Sequence, residues 1–149
     1  MSRPVERIDY FLTNINWEDL LKNIWGLEGY DLEIIVNNLE VIKESWKQYP
    51  DWRISQVLIN NNLLPNYPGV WYYLEDWEIL LKQGKDPRDF LFWGTYGKSG
   101  DKFQWILPKD METGHIENII KDVKEGKMRV HSEFLKTFIK ELELRKINN

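Results

Sequence analysis

The chain has 149 residues, with 20 Lys+Arg against 24 Asp+Glu, a formal net charge of -4 and 14% aromatic side chains. The absence of cysteine excludes a disulfide scaffold and every zinc or iron–sulfur site that needs thiolates, and no apolar run approaches the ~20 residues of a membrane span. The expectation is a single domain over residues 1–149, soluble and cytoplasmic, whose acidic balance argues against duplex nucleic acid or an anionic membrane as partner.

In chain order, Val5, Ile8, Phe11, Leu12 and Ile15 recur at steps of three and four, the spacing of a helical stripe. Asn16 then caps a second helix with the acidic first turn Trp17-Glu18-Asp19, an apolar face of Leu20, Leu21, Ile24 and Trp25, and a stop at Gly26. Asp31 opens the clearest element, a helix over 32–48 with Leu32, Ile35, Val36, Leu39, Ile42 and Trp46 on one face. Tyr49-Pro50 ends it. Asp51 is expected to cap a further helix carrying Ile54, Val57 and Leu58, whose end frays at Asn60-Asn61-Asn62. Residues 65–69 read as a turn, 70–74 have strand-forming residues, and 75–81 read as a short helix closed by Gly84.

Asp86-Pro87 starts a helical turn, after which Phe90-Leu91-Phe92-Trp93 and Phe103-Gln104-Trp105-Ile106-Leu107 flank a glycine-rich loop as a β-hairpin. Pro108 blocks extension of the second strand. Thr113 caps a helix to about Glu125 with Ile116, Ile119, Ile120 and Val123 inward, and Ser132 caps a last helix carrying Phe134, Leu135, Phe138, Ile139 and Leu142. The fold class is α+β, mainly α: helices with a small antiparallel sheet.

Of the chemical motifs, Gly94-Thr95-Tyr96-Gly97-Lys98-Ser99-Gly100 contains Gly-Lys-Ser, but a triphosphate-binding loop needs glycine where Phe92 stands and a helix directly after Lys-Ser. A hairpin tip with a looser anion contact through Lys98 accounts for it. His115 sits in the first turn of a predicted helix with Thr113 and Asn118 close by, where a ligand can meet unpaired backbone N–H groups. His131 adjoins a helix cap and has a local role. The carboxylates of Glu75-Asp76-Trp77-Glu78 suit a helix N-terminus. No catalytic signature and no metal-ligand spacing is present, and no cofactor is expected. Eight Trp and seven Tyr exceed what such a core hides, which points to aromatic surface facing a partner.

Two stretches carry a resemblance. Arg53-Ile54-Ser55-Gln56-Val57-Leu58-Ile59-Asn60, followed by Tyr72-Tyr73-Leu74-Glu75-Asp76 and Ile79-Leu80, is similar to a pattern in small uncharacterised bacterial and phage proteins. Asp110 to Asn118, with Thr113, His115, Ile116 and Asn118 as distinctive positions, resembles a stretch near the C-terminal helix of small phage-encoded proteins. The resemblance implies a phage or mobile-element origin and no defined activity. A chain with no alanine, rich in Ile, Lys and Asn, is compatible with such an AT-rich source. Proteins of that class often counter host defence by sequestering a nucleotide signal or by binding a host protein.

The expected function is therefore non-enzymatic capture of a small anionic, nucleotide-like ligand by a homo-oligomer. Trp93 or Tyr96 would stack on the base, Arg88 and Lys98 would hold phosphate, and Thr113, His115 and Asn118 would supply hydrogen bonds. The alternatives are an inhibitor that binds a host protein through exposed aromatic and acidic residues, and a nucleotide hydrolase using His115 with a carboxylate.

Overall fold

A computed structural model describes residues 3–65, 73–96 and 102–148. Helix makes up 60% of it and a two-stranded antiparallel sheet accompanies the helices, so the fold is α+β and mainly α. The chain divides into two compact units, Met1–Lys85 and Asp86–Asn149.

The first unit is helical. In α1 (Glu6–Asn14) the stripe turns Ile8 and Phe11 fully inward, and Arg7 goes with them at 3% exposure. The Asn16 side chain accepts the Asp19 N–H at 3.0 Å, capping α2 (Trp17–Asp19), which passes into a π-helical turn over Leu20–Ile24. The wider turn brings Leu20, Leu21 and Trp25 into the core together. The helix expected over 32–48 is two: α3 (Leu32–Val36) and α4 (Leu39–Gln48). The break falls at Asn37-Asn38, where the Asn38 side-chain amide donates to the Ile34 carbonyl at 2.6 Å and competes for a backbone acceptor. Val36, expected inward, is consequently exposed, while Ile35, Ile42 and Trp46 are buried.

Helix α5 (Ile54–Asn60) is capped differently from expectation. Asp51 instead accepts the Arg3 backbone N–H at 2.8 Å, and the Gln56 side chain reaches back to the Arg53 N–H at 2.7 Å. Its far end does not fray. Asn62 adopts a left-handed φ of 59°, Leu63 N–H donates to Leu58 O at 2.9 Å and Asn62 N–H to Ile59 O at 3.0 Å, which closes the helix in a Schellman lock. The expected turn at 65–69 lies, after Pro65, outside the described residues; so does most of 70–74, and Tyr73 and Leu74 are not in a strand. Helix α6 (Asp76–Lys82) completes the unit.

In the second unit Asp86 accepts the Arg88 N–H at 3.0 Å and Pro87–Asp89 forms a 3-10 turn. Strands β1 (Trp93–Thr95) and β2 (Gln104–Ile106) pair Trp93 with Ile106, Gly94 with Trp105 and Thr95 with Gln104. Directly opposed residues share a face, so Trp93, Thr95, Gln104 and Ile106 look one way and Gly94 and Trp105 the other. On that second face the rings of Phe103 and Trp105 lie over Gly94, where an added Cβ would come within 2.6 Å of Phe103. On the first, Trp93 and Ile106 pack on a core of Met111, Ile116, Ile119, Ile120 and Phe138.

A 3-10 turn at Pro108–Asp110 leads to α7 (Thr113–Lys124) and then α8 (Ser132–Ile147). Neither expected cap is the cap. Glu112 precedes α7, with Thr113 already its first helical residue, and His131 rather than Ser132 caps α8, its Nδ1 accepting the Glu133 N–H at 3.1 Å. Phe138 is fully buried, and Ile139, expected beside it, is 39% exposed.

Candidate functional site

The site follows from the face of the hairpin that leaves the core. Beyond Trp93 and Ile106 the same face continues with the facing pair Thr95 and Gln104, which lie against the first turns of α7. The result is a cavity of about 540 Å³ lined by Thr95, Gln104 and Ile106 from the strands, Asp110 and Glu112 from the approach to α7, and Gly114, His115 and Asn118 from the helix. Its walls offer a hydroxyl, two carboxamides, an imidazole and two carboxylates, and among the described residues neither lysine nor arginine.

What fixes the approach to α7 is Arg145, one residue the sequence reading passed over. Its Nη1 donates to Thr113 Oγ1 at 2.9 Å, Nη2 to the carbonyls of Met111 at 2.6 Å and Pro108 at 3.2 Å, and Nε to Glu141 Oε1 at 2.9 Å. Five rigid donors on one planar group can hold a loop in this way where a flexible ammonium cannot. Glu141 is buried at 5% exposure and receives Arg88 Nη1 at 3.2 Å on its other oxygen. Arg88 is further engaged by Asp86, 3.2 Å from its Nε. Burial, which acts to lower the Arg88 pKa, is outweighed by these carboxylates, so it is held above the ordinary arginine value.

The expected site residues therefore separate. His115 and Asn118 meet in the cavity. Thr113 lies next to the lining, with its hydroxyl oxygen taken by Arg145. Arg88 is committed to Asp86 and Glu141 and is not part of the lining, because buried Glu141 requires a cation. Trp93 makes edge-to-face contacts with Phe134 at 5.3 Å and Phe138 at 5.5 Å and serves the core. Tyr96 is 57% exposed and packs edge-on against Phe103. Lys98 lies outside the described residues.

Thr95 and Gln104 carried a signal that sequence reasoning missed. Gln104 stands between Phe103 and Trp105, and strand alternation puts such a polar residue on the face opposite the two rings. A second polar cluster, in the first unit, is built for another purpose. Asp76 meets Arg3 Nη2 at 2.8 Å and Arg7 Nη1 at 3.2 Å, while Glu75 pairs with Arg3 and, at 3.3 Å, with Arg53 Nε. Burial pulls Arg7 below the usual arginine value, with Asp76 opposing, and its guanidinium rests 5.2 Å from the Trp46 ring. The carboxylates expected to serve the α6 dipole are thus also the counter-ions of a buried arginine.

Among the described residues no three His, Asp or Glu side chains converge as a metal site requires, and no helix is long and apolar enough to cross a membrane. Compared with protein-family models, curated proteins and solved structures, the chain matches none.

Proposed function

We propose that the protein is a non-enzymatic binding protein that captures a small nucleotide-like ligand, with the base entering the cavity between the hairpin and α7. The observation that carries this reading is the convergence of Thr95, Gln104, His115 and Asn118 on one cavity of about 540 Å³, a volume within the range of small-molecule sites. Carboxamides such as Gln104 and Asn118 both donate and accept, which suits the edge of a purine, and carboxylates such as Asp110 accept from exocyclic amines. In a phage setting, capture of such a signal in the host cytoplasm would blunt a nucleotide-triggered defence.

The test is calorimetric titration of the intact protein with a panel of nucleosides, mononucleotides and cyclic nucleotides. A member of the panel should bind, with His115→Ala and Asn118→Ala each weakening it about tenfold, near 1.4 kcal/mol, while Tm stays within about 2 °C. Absence of binding across the panel at millimolar concentration, or binding indifferent to both substitutions, would sink the proposal.

A second reading rests on the first unit. Ile34, Val36 and Val41 are 41%, 48% and 49% exposed and lie near the exposed carboxylates of Glu33, Glu40 and Glu44. Tyr49, also exposed, stacks on Trp52 at 4.2 Å. Exposed apolar side chains interspersed with carboxylates suit a protein target, and this is the inhibitor reading.

A further inference from the structure

We infer that the base taken by the cavity between the hairpin and α7 is guanine, and that Asp110 is the residue that selects it. The inference rests on the ligand-capture reading above and adds the identity of the base. It starts from the way Asp110 is held. Pro108–Asp110 forms a 3-10 turn, the Asp110 N–H donates to Leu107 O at 2.9 Å, and the Arg145 guanidinium binds the carbonyls on either side, Met111 at 2.6 Å and Pro108 at 3.2 Å. The backbone here is tied at three points, while the side chain is exposed and lines the cavity. Neighbouring Lys109 spends its ammonium on Asp89 at 3.0 Å, and among the described residues the Asp110 carboxylate makes no hydrogen bond or ion pair. Glu112, the other carboxylate of the lining, is already engaged within the chain. An uncommitted anion on a braced turn loses little freedom when a donor arrives.

The shape of that anion sets which base fits. A carboxylate carries two acceptor oxygens side by side in one plane, and its best partner is a pair of parallel N–H donors, as in the fork that arginine presents. On the pairing edge of guanine the ring N–H and the exocyclic amine stand next to each other and supply that pair. Adenine follows its amine with a ring acceptor, cytosine follows its amine with two acceptors, and the ring N–H of uracil stands between two carbonyls. Each of these sets a lone pair against one oxygen of the carboxylate. The group left over on the guanine edge is a carbonyl, which needs a donor. The carboxamides of Gln104 and Asn118, both in the lining, each carry an NH₂ that can fill this role. One carboxylate and one carboxamide thus complete the edge, which is why the polar residues of this wall are of two kinds.

Hypoxanthine is the discriminating probe, because it is guanine without the exocyclic amine. Calorimetric titration of the intact chain at about pH 7, where the carboxylate is ionised, uses the nucleoside monophosphates of guanine, hypoxanthine, adenine and uracil, which share ribose and phosphate and differ in the base alone. The guanine ligand should bind about tenfold or more tighter than each of the others, since each forfeits a charge-assisted bond. Asp110→Asn keeps the shape and turns one acceptor into a donor, so it should bring the guanine and hypoxanthine ligands within about threefold of each other, with far-UV circular dichroism confirming the fold. A merely structural role for Asp110 would weaken both ligands in the same proportion and leave their ratio unchanged. A hypoxanthine, adenine or uracil ligand that binds the unmodified chain as tightly as the guanine one would overturn the inference and leave ligand capture standing. So would a guanine preference that survives Asp110→Asn. Failure of all four to bind at millimolar concentration would overturn both.

Discussion

Arg7 and Asp76 in the first unit are each 3% exposed and lie 3.2 Å apart, whereas Gln104, His115 and Asn118 in the second unit line a cavity that solvent enters. Both are clusters of polar side chains held on helices, and they answer the question of partners in opposite ways. In the first, the charges are neutralised within the chain: three arginines, Arg3, Arg7 and Arg53, surround Glu75 and Asp76, and the Trp46 ring covers Arg7. In the second, Arg145 and Glu141 brace the wall, and Gln104, His115 and Asn118 line the cavity. On the proposed reading, binding falls to polar groups that face a cavity from a braced backbone. Buried and paired groups of the same kind are committed to the fold, where removing one partner strands the other.

The sharpest way to break this contrast is to remove one member of the buried pair. Asp76→Ala leaves Arg7 without its nearest counter-ion in the core and should destabilise the protein by about 3 kcal/mol or more, lowering Tm by roughly 12 °C. Adding Arg7→Met to that background should return part of the loss, since an apolar side chain there carries no uncompensated charge. If the double variant melts no higher than Asp76→Ala alone, Arg7 is not held by Asp76. Next in size is Arg145→Ala, which frees Thr113, the Pro108 and Met111 carbonyls and one oxygen of buried Glu141. A fall of about 2 kcal/mol in the urea unfolding free energy is expected, with faster amide exchange across 108–113. Arg145→Lys should recover little of it, because an ammonium cannot span the same acceptors. Full recovery by lysine would mean that only the charge matters.

How much of this could be read from the sequence depends on the range of the deciding interaction. The mainly helical class, the helices α1, α6, α7 and α8 and the Gly84 stop follow from periodicity and local backbone preference and stand, whereas Val5 and Ile139, assigned to the stripes of α1 and α8, are exposed. The caps did not follow as easily. Asp51, Thr113 and Ser132 each have the right chemistry one or two places from the cap, and a long-range partner or the preceding residue takes the role instead: Arg3 N–H binds Asp51, and Arg145 binds Thr113. The break at Asn37-Asn38 is a local competition that an apolar stripe conceals. At the site, His115 and Asn118 were legible because they share a helix start. Thr95 and Gln104 join them only through strand register, and the commitment of Arg88 depends on Glu141, 53 residues away.

The smallest effect concerns the other end of that brace. Burial acts to raise the Asp86 pKa, but the Arg88 backbone N–H and guanidinium outweigh it, so the folded value lies below the ordinary 3.8. A carboxylate with a depressed folded pKa adds stability that is full above its unfolded value and is lost as pH falls through the folded one. The window is thus below 3.8, and since the side chain is 36% exposed, screening limits the contribution to less than about 1 kcal/mol. Asp86→Asn keeps a capping oxygen and removes the titration, so it isolates the charge. The urea midpoint of the wild type should exceed that of Asp86→Asn at about pH 6, and the gap should close by about pH 2. A gap that persists undiminished at the lower pH would show that the Asp86–Arg88 pair adds nothing through its charge, leaving Glu141 as the sole anion that holds Arg88 away from the cavity.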